Sequence, residues 1–347
     1  MVFPPKPLST DADISATRPV RVGLVGTGYA AKLRAETLQA LERSSLVAVV
    51  GHTLEKTEAF ALAYQAKTFT TWQQLLESDL DLVIVSTVNR DHGAIARSAL
   101  EAGKHVVVEY PLCLDPREGE ELIALAQAQG KLLHVEHIEL LGGLHQALRS
   151  SLPAIGKEFY ARYSTINPQR PAPQRWTYQP DLFGFPLSGA LSRLHRLIDL
   201  FGAVAQVSCQ VKYWGEDAEF YRACLCTAQL SFTSGLLAEV TYGKGETLWQ
   251  NERKFEVHGE QGGLIFDGDR GVLVAEVTTP IEVGSRRGLF AKDTAMVLDY
   301  LLEGTPLYVS ASTSLYALKV ADAARRAAET GETVAIDSVT YSSVTLT

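Results

Sequence analysis

The chain has 347 residues, of which 46% are hydrophobic and 21% are charged, and its formal net charge is −8. This length predicts two globular domains of ordinary size. The acidic balance gives no general attraction to nucleic acid or to an anionic membrane surface, and no run of about 18 apolar residues could span a bilayer. We therefore expect neither nucleic-acid nor membrane partners.

The N-terminal segment 1–19 and the cysteines indicate the cellular compartment of the protein. Segment 1–19 is rich in Pro, Ser and Asp and has no apolar core, which predicts a flexible lead and not a signal peptide. The cysteines show neither CxxC spacing nor a dense framework; they are Cys113, Cys209, Cys224 and Cys226. We expect reduced core thiols in a cytoplasmic protein.

From residue 20 to about residue 140, short apolar runs alternate with longer amphipathic stretches. The runs are 20-VRVGLV-25, 46-LVAVV-50, 81-DLVIVS-86, 105-HVVVE-109 and 131-KLLHVE-136. Strands this apolar, alternating with helices, predict an α/β domain with a doubly wound parallel sheet of the Rossmann type. We expect residues 20–140 to be a dinucleotide-binding domain.

After this region the rhythm of the sequence changes. A helical segment at 187–202 is followed by strands of alternating pattern joined by short turns, and two helices are predicted at 291–304 and 312–331. This pattern predicts a second, α+β domain over 141–347, with a large antiparallel sheet that has one packed and one open face. We expect this domain to bind the substrate.

A nucleotide fingerprint follows the first strand directly. Gly26, Gly28 and Ala31 form a GxGxxA match between a buried strand and a helix. In that context Gly26 makes the turn, Gly28 lets a pyrophosphate approach, and Ala31 packs the helix closely. The helix N-terminus then offers free N–H groups to the phosphates. The predicted cofactor loop is Gly26, Thr27, Gly28, Tyr29 and Ala30; the alternative is a plain strand-to-helix turn.

The end of the second strand usually selects between NAD and NADP. A carboxylate there would bind the ribose 2′-hydroxyl of NAD, but this chain has Gly51, His52 and Thr53. Thr53 can donate a hydrogen bond and Lys56 supplies a positive charge, which suits a 2′-phosphate. We therefore expect NADPH to bind, with NADH weaker, although Lys56 could also be a solvated helix residue.

Polar groups also follow the next two strands. Ser86, Thr87 and Asn89 come after the strand at 81–86, and we expect them to line the nicotinamide ribose. His92 is placed with them, with a packed histidine as the alternative. The strand at 105–109 ends in Glu109, Tyr110 and Pro111, which places a carboxylate and a phenol at the same edge of the sheet.

The run from GTGYAAK, through TVNRDH, to AGKHVVVEYPL resembles the glucose-fructose oxidoreductase and inositol dehydrogenase family. The resemblance implies a Rossmann domain followed by an open-faced antiparallel sheet. Sugar-oxidising members carry a catalytic lysine where this chain has Tyr110, and an Asp and a His where it has Ser192 and Arg196. Both departures count against alcohol oxidation, which needs a base. A sugar or cyclitol dehydrogenase and a non-catalytic NADP-binding regulatory protein remain the alternatives.

Further segments resemble the biliverdin reductases, and their cyanobacterial branch most closely. They are Glu109-Tyr110-Pro111, with tyrosine in place of the catalytic lysine, and the segments 132-LLHVEHIELLGG-143, 158-EFYARYSTI-166, 171-PAPQRWTY-178 and 283-VGSRRGLF-290. This resemblance implies NADPH-dependent reduction of biliverdin IXα to bilirubin, in which a hydride adds to the C10 bridge and a proton to a pyrrole nitrogen. No metal is implied, and we expect a monomer or a small homo-oligomer.

Such a substrate needs a broad apolar surface and cations for two propionates. We expect the open face of the antiparallel sheet to supply the broad surface. The candidates are Arg162, Arg175 beside Trp176, Arg193, Arg196, Lys244 and Arg286. Arg193 and Arg196 are three apart on one helix face and can approach the same anion. We expect catalytic roles for Arg193, Tyr110 and Glu109; the proton source is left open among Tyr110, Glu109, His195 and solvent, and His195 is interpreted as structural.

One group of side chains could bind a metal ion if the fold brings its members together. His134, Glu136, His137 and Glu139 are close together in the sequence, and the first two alternate on one strand face. Hydrogen bonding beneath the cofactor site is the favoured interpretation.

Overall fold

The computed structural model describes residues 18–215 and 219–336, so nearly all of the predicted flexible lead lies outside the described residues. The chain forms two units: one contains the described residues up to Ile138 together with Gly288–Leu315, and the other contains Glu139–Arg287 and the described residues from Tyr316 onward. The sequence-based division placed both C-terminal helices in the second domain, whereas the first of them belongs to the first unit. Within the described ranges, no helix has the length and apolarity needed to cross a membrane.

The first unit alternates strands and helices. They are β1 Val20–Val25, α1 Tyr29–Ala40, β2 Ser44–Val50, α2 Leu54–Tyr64, β3 Lys67–Thr68, α3 Trp72–Leu76, β4 Leu82–Val85, α4 His92–Glu101, β5 His105–Val108, α5 Pro116–Ala128 and β6 Leu133–Val135. Helix α10, Leu289–Glu303, completes the unit.

The sheet of this unit is parallel throughout and has the strand order β3-β2-β1-β4-β5-β6. This is the order of the doubly wound dinucleotide-binding fold, so the predicted fold class is confirmed. Every residue of β4 and β5 is buried, as expected for a sheet covered on both faces. Val297 and Leu298 of α10 join the core formed by Val22, Leu24 and Ile84, which explains why α10 belongs here.

The second unit consists of helices and a large sheet. Its elements are α6 Gly143–Ser151, β7 Glu158–Pro168, α7 Pro180–Phe183, α8 Pro186–Gly189, α9 Ser192–Phe201, β8 Val204–Trp214, β9 Ala223–Phe232, β10 Leu237–Gly245, β11 Glu252–Gly259, β12 Gly262–Asp267, β13 Arg270–Val274, β14 Thr279–Ile281 and β15 Val334–Ala335. Helix α11, Ala311–Thr330, begins in the first unit and continues in this one.

The strand order is β14-β13-β12-β11-β7-β10-β9-β8-β15. The strand pairs show the predicted antiparallel arrangement except for β7 with β10, which run parallel, so the sheet is mixed. This sheet has two distinct faces because side chains alternate along each strand. Tyr163, Val240 and Phe255 are buried on one face, whereas Arg162, Glu239 and Glu256 line up across the other.

Candidate functional site

The glycine loop between β1 and α1 has the geometry of a phosphate cradle. Gly26 has φ +123°, and a Cβ there would lie 2.2 Å from the Ser86 carbonyl oxygen, so only glycine fits the turn. Gly28 is the N-cap of α1, and a Cβ there would meet nothing within 4 Å. Ala31, in the first turn of α1, is fully buried. The residues thus fit a pyrophosphate held at the N-terminus of α1.

The backbone after β2 forms a second helix N-terminus. Thr53 caps α2, its side-chain oxygen accepting from the Lys56 N–H at 3.4 Å. The Gly51 N–H donates to Thr57 Oγ1 at 3.0 Å, and this buried threonine, which sequence reasoning missed, fixes the loop. His52, Thr53 and Lys56 are all exposed. The first turn of α2 also carries Glu55. The helix N-terminus, the Thr53 hydroxyl and the Lys56 ammonium are nonetheless groups that suit a phosphate.

His92 joins two loops at the carboxyl ends of β4 and β5. Its Nδ1 donates to the Pro111 carbonyl at 2.7 Å, and its Nε2 lies 3.3 Å from the Thr87 carbonyl. The ring is 1% exposed, and burial lowers its pKa. The prediction of cofactor contact by His92 is therefore corrected: the ring positions the loops. Asn89 is also buried, at 3% exposure, whereas Ser86 and Thr87 are half-buried at the strand end.

Glu109 and Tyr110 lie at the carboxyl end of β5, as the sequence predicts. The Tyr110 ring stacks on His137, with centroids 5.4 Å apart and planes 6° apart. The Glu109 carboxylate accepts from Arg34 Nε at 3.2 Å, and its side chain is 13% exposed. The phenol is thus held flat by an aromatic neighbour and the carboxylate by a buried guanidinium.

Beneath Glu109 lies a buried polar network within the first unit. Arg34 pairs with Asp293 of α10 as well as with Glu109. Asp293 Oδ1 accepts from His134 Nε2 and from the Tyr308 hydroxyl, both at 2.8 Å. Burial alone would raise the pKa of Asp293, but Arg34 and His134 hold it well below its usual range. Sequence reasoning missed Arg34 and Asp293, although their spacing from buried Ala31 and Val297 gave a signal.

His134, Glu136 and His137, which the sequence offered as possible metal ligands, lie in this same region. His134 bonds Asp293, and His137 Nε2 bonds Ser314 Oγ at 2.8 Å. Glu136 is 1% exposed, and its Oε1 accepts from the Ile138 N–H at 2.5 Å. Among the described residues, no group of three or more His, Cys, Asp or Glu side chains is arranged to hold a metal. The contacts that the structure gives to His134, His137 and Glu136 are hydrogen bonds within the protein.

The second unit contains a cavity of about 300 Å³ on the packed face of its sheet. Four of the predicted cations line this cavity: Arg175, Arg193, Lys244 and Arg286. Sequence reasoning did not identify the polar and aromatic residues between them as site residues, since they are ordinary strand and helix residues; they include Thr165, Phe183, Ser192 and Tyr242. The predicted binding surface on the open face is thus corrected, because the cavity lies on the packed face.

Arg193 contacts two hydroxyl groups and an aromatic ring at the cavity, and it also interacts with the charge of Glu139. Its Nη1 donates to Ser192 Oγ at 2.9 Å and its Nε to Thr165 Oγ1 at 3.4 Å, and the guanidinium lies 5.4 Å from the Tyr242 ring centroid. The side chain is half-buried. A half-buried guanidinium that lines the cavity can donate hydrogen bonds to an anion bound there.

Arg196 has a different environment from the one predicted. It is 1% exposed and donates to the Glu139 carboxylate at 3.1 Å, while Arg286 donates to the other Glu139 oxygen at 2.7 Å. Although burial opposes it, Arg196, Arg286 and Arg193 lower the pKa of Glu139. The anion that these arginines approach is therefore the protein's own carboxylate, and Arg196 is a buried structural partner, which corrects its prediction as a substrate contact.

Lys244 is enclosed by aromatic rings. It is 5% exposed, donates to the Thr177 carbonyl, and its Nζ lies 3.7 Å from the Phe183 ring centroid and 4.8 Å from that of Tyr178. The pKa of this amine is lowered to about 8, mainly by burial; Cys224 opposes the shift, and Arg175 and Arg193 contribute to it. Lys244 is therefore a cation that can lose its charge near neutral pH.

The remaining predicted residues are distributed more widely. Arg162 lies on the open face between Glu252 and Glu256, each 3.7 Å away, so strand alternation separates it from the cavity and its prediction is corrected. Trp176 packs on Phe183 without lining the cavity. His195 is 2% exposed, and burial lowers its pKa to about 4, which makes it a neutral packed residue.

Comparison with known proteins agrees with this architecture. Two family models match, described as an oxidoreductase family with an NAD-binding Rossmann fold over residues 20–137 and its C-terminal alpha/beta domain over residues 154–336. Biliverdin reductase A of Mus musculus is 29% identical over 83% of this chain and 88% of its own length, and that of Homo sapiens is 30% identical over 66% and 68%.

A solved structure is more similar still. The biliverdin reductase of Synechocystis sp. PCC 6803, in complex with biliverdin and NADP+, is 55% identical and covers 90% of this chain and 99% of its own, with a TM-score of 0.88. The resemblance to the biliverdin reductases stated from the motifs is thereby confirmed. The chain belongs to the GFO/IDH/MocA family of NAD(P)H-dependent oxidoreductases.

Proposed function

We propose that the protein is an NADPH-dependent biliverdin reductase that converts biliverdin IXα to bilirubin. The observation that carries the proposal is the cavity of the second unit, where Arg193, Lys244 and Arg175 provide cations beside aromatic rings in a chain of net charge −8. A conjugated tetrapyrrole with two propionates requires this combination of apolar surface and separate cations. The 55% identical Synechocystis protein, solved with biliverdin and NADP+, supports the same substrate and cofactor.

The first unit supports NADPH as the reductant. The glycine loop fits the pyrophosphate, and the exposed start of α2 at Thr53 and Lys56 suits the 2′-phosphate that distinguishes NADPH from NADH. Bound NADPH would supply a hydride, which we assign to the C10 bridge of the bilin. Ser86 and Thr87 at the end of β4 would line the nicotinamide ribose, with Glu109 and Tyr110 at the end of the neighbouring strand.

Within the cavity the residues have separate proposed roles. Arg193 would bind a propionate and stabilise negative charge on the bilin, since a guanidinium effectively never gives up its proton. Lys244 and Arg175 would bind the other polar groups of the substrate. The place of the usual lysine is taken by Tyr110, whose stacked ring can position substrate or cofactor without acting as a base. A monomeric or small oligomeric, cytoplasmic enzyme remains a prediction.

The direct test is an absorbance time course of the purified protein with biliverdin IXα and NADPH. We expect the red biliverdin band to give way to the blue absorption of bilirubin, more slowly with NADH, and not at all without protein. No conversion from acid to alkaline pH would contradict the proposal. Reduction of NADP+ to NADPH by the protein with a sugar or cyclitol would instead support the dehydrogenase alternative.

A further inference from the structure

Glu109 and Glu136 follow neighbouring strands at one edge of the first unit's sheet. Strands β5 and β6 pair in register, with Val108 opposite Val135, and the Glu136 N–H donates to the Val108 carbonyl at 2.9 Å. The next residue of each strand is a glutamate, so Glu109 and Glu136 are neighbours at this edge, and Glu136 is 1% exposed. Two neighbouring carboxyl groups that are shielded from water are costly to ionise together, which favours one proton held between them.

The charges around the pair also require a retained proton. The charged and titratable groups around the pair are Asp293, Tyr308 and Arg34. His134 is bonded to Asp293, and His92 interacts with Glu109. Arg34 already pairs with both Asp293 and Glu109. A third ionised carboxylate would leave excess negative charge away from water, which is costly. Burial, followed by Glu109 and Asp293, raises the pKa of Glu136 well above its usual range.

The two carboxyl groups differ in their access to solvent. Glu136 is 1% exposed, and one of its oxygens is fixed by the Ile138 N–H. The Glu109 side chain is 13% exposed and ends at the carboxyl edge of the sheet, where a fold of this type binds its cofactor. A proton held by the pair can therefore leave and return through Glu109.

We infer that Glu109 and Glu136 together store one proton and deliver it through Glu109 to a pyrrole nitrogen of the reduced bilin. This inference rests on the proposed function. NADPH would give a hydride, with both electrons of its C–H bond, to C10; the O–H bond of the pair breaks as the pyrrole N–H bond forms. The pair then recovers one proton from water, so biliverdin, NADPH and H+ become bilirubin and NADP+. Glu136 is the positioning residue and Glu109 the donor.

The stored proton can be tested without turnover. Infrared spectra of the substrate-free protein at neutral pH should show the carbonyl band of a protonated carboxylic acid that shifts in D₂O. Glu136→Gln and Glu109→Gln should each remove this band, whereas Glu139→Gln should keep it, because Arg196 and Arg286 hold Glu139 ionised. Absence of the band from the wild type, or its survival in both variants, would overturn the stored proton whatever the enzyme reduces.

The delivery step is tested by the pH profile of kcat with saturating biliverdin. An amide at position 136 cannot hold the proton, so in Glu136→Gln the alkaline fall of kcat should begin at least about one pH unit lower than in the wild type. NADPH affinity and circular dichroism, which report folding, should not change. An unmoved alkaline limb would overturn the delivery step, and the same limb in Glu109→Gln provides a second test. A wild type that shows the band but reduces no biliverdin would contradict the proposed function and leave the stored proton standing.

Discussion

Arg34 on α1 and Asp293 on α10 form an ion pair from which water is excluded on both sides, with side chains 1% and 0% exposed. Replacing Asp293 removes the fully buried counter-charge of Arg34 and leaves it with Glu109, whose side chain is 13% exposed. We expect Asp293→Asn to destabilise the first unit by about 3 kcal/mol. Asp299→Asn, which breaks the partly exposed pair with Arg43, should cost at most about 1 kcal/mol.

Amide hydrogen exchange in β1 and α1 measures this effect locally, which suits a chain of two units. Protection should fall roughly a hundredfold in Asp293→Asn. Because the pKa of Asp293 is depressed in the folded state, its contribution is present above the unfolded value of about 3.9 and is lost as the pH falls through the folded value. The difference between wild type and variant should therefore shrink below about pH 4. Equal protection in both at neutral pH would contradict the assignment.

The two glycines of the phosphate loop should respond differently to alanine. At Gly26 a Cβ would lie 2.2 Å from a backbone oxygen at positive φ, so Gly26→Ala should lower the melting temperature. At Gly28 a Cβ meets no protein atom within 4 Å, so Gly28→Ala should keep the melting temperature. It should weaken NADPH by about tenfold, because the methyl group occupies the space of the pyrophosphate. Undiminished NADPH affinity in Gly28→Ala would contradict this site.

The nucleotide site could be predicted from the sequence because its residues are local. Gly26, Gly28 and Ala31 act within six residues of one strand-to-helix turn, and period-2 and period-3.6 patterns defined the flanking elements. The partners of Arg34 and Glu139 could not be predicted in this way. Asp293 is 259 residues from Arg34, and Arg286 is 147 residues from Glu139, so tertiary contacts alone bring them together.

The sequence pattern does not determine which face of the second sheet is packed. Alternation along β7 correctly separates Arg162 from Tyr163, but it does not say which face the helices cover. Burial of Tyr163, Val240 and Phe255 settles this in the structure. Arg193 and Arg196 were likewise placed on one helix face, yet the acid that neutralises Arg196 comes from Glu139, outside that helix.

The role of Arg193 can be measured against Arg162, which carries the same charge on the opposite face of the sheet. We expect Arg193→Ala to lower kcat/KM for biliverdin about thirtyfold, a loss of about 2 kcal/mol, as for a hydrogen bond to a charged group. Arg162→Ala should change it by less than about twofold. Steady-state kinetics with each variant provides the measurement. Near-wild-type kcat and KM in Arg193→Ala would remove the proposed role.

Cofactor preference should depend on the start of α2. A carboxylate at position 53 would repel the 2′-phosphate of NADPH and could bind the 2′-hydroxyl of NADH. We expect Thr53→Glu to raise the KM for NADPH by at least about tenfold while the KM for NADH stays or falls. Glu58→Gln, an exposed change one turn further along α2, should leave both values unaltered. Equal effects of Thr53→Glu on the two cofactors would contradict the assignment.

Lys244 should make biliverdin binding depend on pH. Its pKa is lowered to about 8 by burial, so the amine is charged below that pH and neutral above it. We expect the wild-type KM for biliverdin to rise as the pH passes about 8, as one propionate partner loses its charge. Lys244→Met, of similar length and without charge, should bind biliverdin about tenfold more weakly at pH values below about 7 and should match the wild type above about 9. Because Arg193 keeps its charge throughout, residual binding should persist at alkaline pH in both proteins. Parallel pH profiles for wild type and Lys244→Met would show that this amine does not contact the substrate.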